Sequence, residues 1–273
     1  MRLPLVSIGP VLSPAQAKRY AGKFLTRADY DYLIERNTIG KVEGETKFLF
    51  LRGALSSEAV EQGWRTLGRL RFANVRNSHR LAFRRCYGGE MVMGYLPSPQ
   101  PRRTRPTERF PLAYSGVIHD LCFAFGDLIA SCDEYLPGYW QQQVKRAAMN
   151  GPYLIGAGLR TLVGDPGIRV IREDGSEQPF TAEMISELLF STVTINDSVI
   201  CPCHTDGKNV SGFSCLAAFG RWAGGALCFP RLRVAFELRP GDVLIADMQE
   251  QHGNVAPLVG TRISVVAYLR SKG

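Results

Sequence analysis

The sequence predicts an α+β fold: a double-stranded β-helix, or jelly roll, buttressed by N-terminal helices. Three observations lead there. Beyond residue 185 the chain breaks into six or seven short β-rich runs separated by Gly, Pro and Asn. Ahead of them, separate stretches repeat apolar residues at helical spacing. The composition, 273 residues at 45% hydrophobic and 21% charged, suits a substantial buried core and excludes a disordered chain.

Taken in order, residues 1–12 are apolar but interrupted by Pro4, Gly9 and Pro10. No window approaches the roughly 18 uninterrupted apolar residues of a membrane span, so a soluble, non-secreted protein is expected. Residues 56–67 carry an N-cap serine pair, an acidic first turn, and Trp64 and Leu67 at helical spacing. Residues 97–111 are rich in Pro and Arg and read as an exposed loop or linker. Residues 112–136 place Val117, Leu121, Phe125, Leu128 and Ile129 on one helical stripe that ends at Pro137-Gly138, and a further helix is expected at 140–149. His119-Asp120 on the first of these helices is expected to be structural. The β-rich runs are 188–200, 212–219, 226–229, 234–238, 243–246 and 262–269, a spacing that suits a cupin-like jelly roll with its chemistry at one open end. The organisation expected is an N-terminal mixed or helical extension over 1–110 and a helix-buttressed catalytic core over 111–273, compact together.

Charge and cysteines narrow the class. Of the net charge of +8, about +9 sits in residues 62–109, where eleven arginines meet only Glu90 and Glu108. A cationic field so localised points to a polyanionic partner, because neutralising phosphates releases counterions. A solvated basic face is the alternative. The seven cysteines are odd in number and scattered through apolar runs, as in an intracellular protein with reduced thiols. Cys201-Pro202-Cys203-His204 could open a zinc site, but no second Cys/His pair stands at finger spacing.

The constellation that carries chemistry lies in the β-rich part. His204-Thr205-Asp206 follows a strand, and alternation in an extended segment turns side chains 204 and 206 the same way. His252 follows 48 residues later, just past Gly241-Asp242-Val243-Leu244-Ile245-Ala246-Asp247. Two imidazoles and a carboxylate, leaving one face of a metal open, are the ligand set of non-heme Fe(II) oxygenases. Ten residues on comes Arg262-Ile263-Ser264. A guanidinium there can take a carboxylate bidentately, with the Ser264 hydroxyl facing the same side, which suits the far end of 2-oxoglutarate. A pair of turn histidines with an exposed arginine is the bland alternative.

Residues 190–270 resemble the 2-oxoglutarate/Fe(II) dioxygenases, and more narrowly the TET/JBP family that oxidises the 5-methyl group of pyrimidines in DNA. The matching pieces are His204-Thr205-Asp206-Gly207-Lys208-Asn209, Gly212-Phe213, Gly224-Gly225 with Cys228-Phe229-Pro230, Arg239-Pro240-Gly241-Asp242, His252-Gly253-Asn254, and Arg262-Ile263-Ser264 running to Arg270. A compact chain without a Cys-rich region or long insert is most similar to the fungal and protist members.

The resemblance implies that His204, Asp206 and His252 hold iron, that Arg262 and Ser264 hold 2-oxoglutarate, and that Asn209, Tyr268 and Arg270 touch the substrate base. It also implies oxidation of 5-methylcytosine to the hydroxymethyl, formyl and carboxyl forms. The partner would be duplex DNA with one nucleotide flipped out, gripped by the basic segment, and the location nuclear. Thymine, an N-methylated base or a non-DNA substrate remain alternatives, as does an inactive jelly roll that only binds nucleic acid.

Overall fold

The structure is a computed structural model that describes residues 4–9, 11–68, 73–74, 87–97, 104–106, 115–136, 166, 169–171, 176–179, 190, 192–206 and 212–268. The chain divides into two compact units, Met1–Met91 with Thr194–Val266, and Val92–Val193 with Ala267–Gly273. Residues 1–91 thus share a unit with the β-rich residues 194–266.

In chain order the elements are β1 (Leu5–Ser7), α1 (Pro14–Ala17), β2 (Tyr32–Ile34), β3 (Thr38–Val42), β4 (Glu45–Leu51), α2 (Ser57–Leu67), β5 (Ala73–Asn74), β6 (Tyr87–Pro97), β7 (Thr104–Pro106) and α3 (Ser115–Ser131). They continue as β8 (Arg169–Ile171), β9 (Glu177–Pro179), β10 (Thr192–Ile200), β11 (Ser214–Gly224), β12 (Leu227–Phe229), β13 (Val234–Phe236), β14 (Val243–Ala246), β15 (Gly253–Asn254) and β16 (Leu258–Tyr268).

Within the first unit, two sheets make the jelly roll. The larger includes the run β1-β3-β4-β14-β11-β16-β10, and the smaller is β15-β12-β13-β2. The N-terminal strands are integral to both. β4 pairs antiparallel with β14, Phe48 opposite Ala246 and Phe50 opposite Leu244, and β2 lies parallel to β13. The reason is apolar content. Phe48, Leu49, Phe50 and Leu51 are all buried, so β4 is covered on both faces and shows no alternation in the sequence. Between the sheets, Phe48, Phe50, Leu216, Leu244 and Ala246 of the larger face Leu227, Phe229, Val234 and Phe236 of the smaller. Phe236 is the hub, with ring centroids 4.7 Å from Phe48 and 5.7 Å from Phe50 and Phe229. Burying rings of this size contributes roughly 1.5–3 kcal/mol each.

The Arg239-Pro240-Gly241-Asp242 turn feeds β14. Asp242 is 1% exposed; it accepts from the Arg239 and Gly53 backbone N–H groups at 2.7 and 2.9 Å and pairs with Arg52. A buried carboxylate with this many donors fixes the start of the strand that leads to His252. The helix α2 is capped as its sequence indicates, with Ser56 Oγ accepting from the Ala59 N–H at 3.1 Å. In the second unit α3 buries Leu121, Phe125 and Ile129 of the expected stripe, and the Phe125 ring meets Phe190 edge-on at 6.3 Å. The helix expected at 140–149 lies outside the described residues. Among the described residues no helix is long and apolar enough to cross a membrane.

Candidate active site

The segment 201–206, irregular with a bend at Cys203, runs between two neighbours. On one side the Cys203 N–H donates to Lys23 O at 2.7 Å, and Cys203 O accepts from Gly22 N–H at 2.8 Å. On the other, His204 and His252 form an antiparallel bridge, with N–H···O distances of 2.8 and 2.9 Å in the two directions. The imidazoles therefore stand side by side, ring centroids 4.4 Å apart. Close approach demands a glycine next door: a Cβ on Gly253 would lie 2.9 Å from both Cys203 Cα and Cys203 N.

Each imidazole is oriented by a carbonyl two residues before it. His204 Nδ1 lies 2.9 Å from Pro202 O, and His252 Nδ1 lies 2.9 Å from Glu250 O. A carbonyl can only accept, so Nδ1 carries the proton in each neutral ring and Nε2 presents its lone pair. Both Nε2 atoms turn to Asp206: the His204 Nε2–Oδ1 distance is 3.6 Å and the His252 Nε2–Oδ2 distance 4.0 Å. The three ligand atoms lie within 4.8 Å of one another, the one such metal-ligating group among the described residues. The donor set fits Fe(II), with the carbonyls acting as the outer groups that fix tautomer and ring plane.

The turn before His252 is itself clamped. Gln249 N–H donates to Asp247 Oδ1 at 2.9 Å, and Arg231 Nε spans both oxygens of Glu250 at 2.8 Å. Burial holds the Asp247 carboxyl above the usual carboxylate range. Phe229 backs the distal imidazole, its centroid 5.6 Å from that of His252.

Arg262 reaches inward, as strand alternation requires: Val266 on the same face of β16 packs into the core between the sheets. Arg262 is 4% exposed. Nη1 donates to Gly225 O at 2.5 Å and Nη2 to Val199 O at 2.9 Å, while buried Nε has no partner among the described residues. Burial pushes the guanidinium down to about 10. A cation out of water with no carboxylate beside it among the described residues is an anion site in waiting, which fits the far carboxylate of 2-oxoglutarate. Ser264 follows on the same face, 8% exposed.

The zinc reading of Cys201-Pro202-Cys203-His204 finds no support here. Cys203 is 1% exposed in an apolar cluster with Cys228, Tyr20 and Leu25, and burial pushes its thiol up to about 12. Tyr268 ends β16 with 6% exposure. Asn209 and Arg270 lie outside the described residues, as do the side chains of ten of the eleven basic-segment arginines. Arg65, the exception, is exposed and pairs with Glu61 at 2.7 Å. Asn254 of His252-Gly253-Asn254 has no role assigned from sequence, yet its Oδ1 accepts from the Cys201 N–H at 3.1 Å and its Nδ2 donates to Gly225 O at 3.3 Å. A polar residue two places past a metal ligand on a short strand was the available signal.

No family model matches the sequence. Among curated proteins, the bifunctional helicase and thymine dioxygenase JBP2 of Trypanosoma cruzi is 38% identical over 268 residues, covering 91% of this chain. The JBP2 of Leishmania infantum is 42% identical over 89 residues, 30% of this chain. The chain is thus similar to TET/JBP-like 2-oxoglutarate/Fe(II) dioxygenases. This TET/JBP-like chain spans only 21% and 8% of the length of those two relatives. Its fold matches NgTET1 in complex with 5mC DNA at a TM-score of 0.54, with 14% identity, over 94% of this chain and 88% of the other. The jelly-roll expectation is thereby met, and the triad supports Fe(II) and 2-oxoglutarate as the cofactors the TET/JBP-like site takes.

Proposed function

We propose that this chain is an Fe(II)- and 2-oxoglutarate-dependent dioxygenase that oxidises the 5-methyl group of a pyrimidine base in DNA. One observation carries the proposal: a His-Asp-His cluster in a jelly roll whose neighbouring strand buries an arginine with no anionic partner among the described residues. Bound Fe(II) with 2-oxoglutarate supplies O₂ activation, yielding succinate, CO₂ and a hydroxylated methyl carbon.

The chain's own residues do the rest. His204 and His252 offer Nε2 in a fixed plane because Pro202 O and Glu250 O hold each Nδ1–H. Asp206 contributes a carboxylate on a backbone tied to Met248 O at 3.1 Å. Arg262 takes the far carboxylate of 2-oxoglutarate as a bidentate partner, with Ser264 adding a hydroxyl. In this reading Asn209 and Arg270 touch the edge of the extruded base or a phosphate, whereas Tyr268, expected from sequence to stack on that base, is buried at 6% exposure and packs as a core aromatic. The basic segment grips the duplex, offsetting the few kcal/mol of extrusion.

Two bases fit the chemistry. The names of the JBP2 relatives favour thymine, whereas the 5mC DNA held by the structural neighbour favours 5-methylcytosine. Mass spectrometry after incubation of the chain with iron, 2-oxoglutarate and duplexes with or without 5-methylcytosine separates them. Hydroxymethyluracil in both duplexes identifies thymine, and hydroxymethylcytosine only in the methylated one identifies 5-methylcytosine. Succinate release with neither product moves the substrate off DNA. Salt-sensitive DNA binding with no 2-oxoglutarate turnover leaves a nucleic-acid-binding jelly roll.

A further inference from the structure

Asn254 is 8% exposed and lies two residues past His252. Its backbone N–H donates to Cys201 O at 3.0 Å, and its Oδ1 returns the bond by accepting from the Cys201 N–H at 3.1 Å. Its Nδ2 donates to Gly225 O at 3.3 Å. The same carbonyl receives Arg262 Nη1 at 2.5 Å. One amide therefore stands on the strand of His252, ties down the segment that enters His204 and Asp206, and shares an acceptor with the anion anchor. Gly225 has little freedom to move in response, since its own N–H is committed to Pro257 O at 2.9 Å and its φ is +68°. Where the Gly225 carbonyl points decides where the Arg262 guanidinium rests.

We propose that Asn254 is a positioning residue that sets Arg262, through the shared Gly225 carbonyl, for the far carboxylate of 2-oxoglutarate. The inference rests on the dioxygenase reading and deepens it. Its chemistry is specific to the amide. Asn254→Asp keeps shape but replaces the donor facing Gly225 O with an anionic oxygen, so the carbonyl loses a donor and gains a repulsive neighbour. The new carboxylate also competes with the ligand for the guanidinium. Asn254→Ala removes both side-chain bonds without adding charge.

The experiment is anaerobic calorimetric titration of 2-oxoglutarate into the Fe(II)-loaded full chain, wild type against both variants, with Fe(II) affinity measured separately by chelator competition. The expected result is a 2-oxoglutarate Kd raised about tenfold or more by Asn254→Asp and about threefold by Asn254→Ala, with Fe(II) affinity within about twofold of wild type. A merely structural amide would lower thermal stability yet leave the Kd of the folded protein unchanged, and that result overturns the inference. So does a parallel fall in Fe(II) affinity. If Asn254→Asp does not fold, Asn254→Ala carries the test alone. Wild type that binds no 2-oxoglutarate would remove the dioxygenase reading itself, whereas wild-type binding with unaffected variants removes only the role of Asn254.

Discussion

His204 and His252 are each oriented by a carbonyl of their own segment, two residues back, and by the bridge they make with one another. Arg262 is oriented by carbonyls borrowed from elsewhere in the chain, Val199 and Gly225, at sequence separations of 63 and 37 residues. The metal end is thus local and partly open, with the Asp206 side chain 34% exposed, while the anchor end is assembled from distant strands and sealed. The comparison teaches that one site can be robust at its reactive end and fragile at its binding end. Substitutions at the two ends should accordingly separate metal affinity from co-substrate affinity.

The largest effect is expected from Asp206→Ala. The side chain is part-exposed and its backbone bond to Met248 O survives the change, so the fold should hold while metal binding and turnover fall to background. Metal content of the purified variant, read beside its melting temperature, is the check. A variant with wild-type metal content would break the local half of the comparison.

Gly253→Ala should follow. The added Cβ would press on Cys203 Cα and N at 2.9 Å, forcing the His204 segment away from His252. Overpacking of this kind costs about 1–3 kcal/mol of stability. Because it spreads the two imidazoles, Fe(II) affinity should fall more than tenfold while 2-oxoglutarate, once iron is saturating, binds nearly as before. Calorimetry at saturating iron tests the separation.

How far this was legible from sequence follows the same line. His204, Asp206, His252 and Arg262 were readable because metal and carboxylate chemistry is written in side-chain type and spacing. The β-rich runs were readable too, and 243–246 coincides with β14. The N-terminal strands were not, because Phe48–Leu49–Phe50–Leu51 is buried on both faces and lacks the period of two that marks a strand. The two-residue β15 is too short for any periodicity, so the pairing that carries Asn254 stayed hidden. Carbonyl acceptors such as Val199 O and Gly225 O belong to no residue type, which is why the setting of Arg262 emerged only with the fold.

A smaller effect belongs to Arg262→Lys. The ammonium keeps the charge but loses the fork that spans Gly225 O, Val199 O and a ligand carboxylate. Loss of one charge-assisted bond of about 1.5–3 kcal/mol should weaken 2-oxoglutarate roughly ten- to a hundredfold. Iron affinity should not change. If it fell in step, the two ends would not be separable and the comparison would fail.

The smallest and most diagnostic effect is pH dependence at the anchor. Burial disfavours the charged guanidinium, so its folded pKa drops from 12.5 to about 10. The sign follows from which form each process needs. Folding is penalised by the charge at any pH below about 10, and that penalty fades as pH rises toward 12.5. Co-substrate binding needs the charge, so affinity should stay flat through neutral and mildly alkaline pH and weaken only as pH passes about 10. Half a unit above that point roughly a quarter of the guanidinium stays charged, which predicts an affinity about fourfold weaker. A bound carboxylate opposes the trend by stabilising the cation, so the protein saturated with 2-oxoglutarate should hold its ligand to higher pH than the free site would suggest. Calorimetric titration across this range, with Arg262→Lys alongside, checks the midpoint. A fall already complete near neutral pH would mean that the anchor is not the buried arginine, and that the sealed end of the site is held by something other than Arg262.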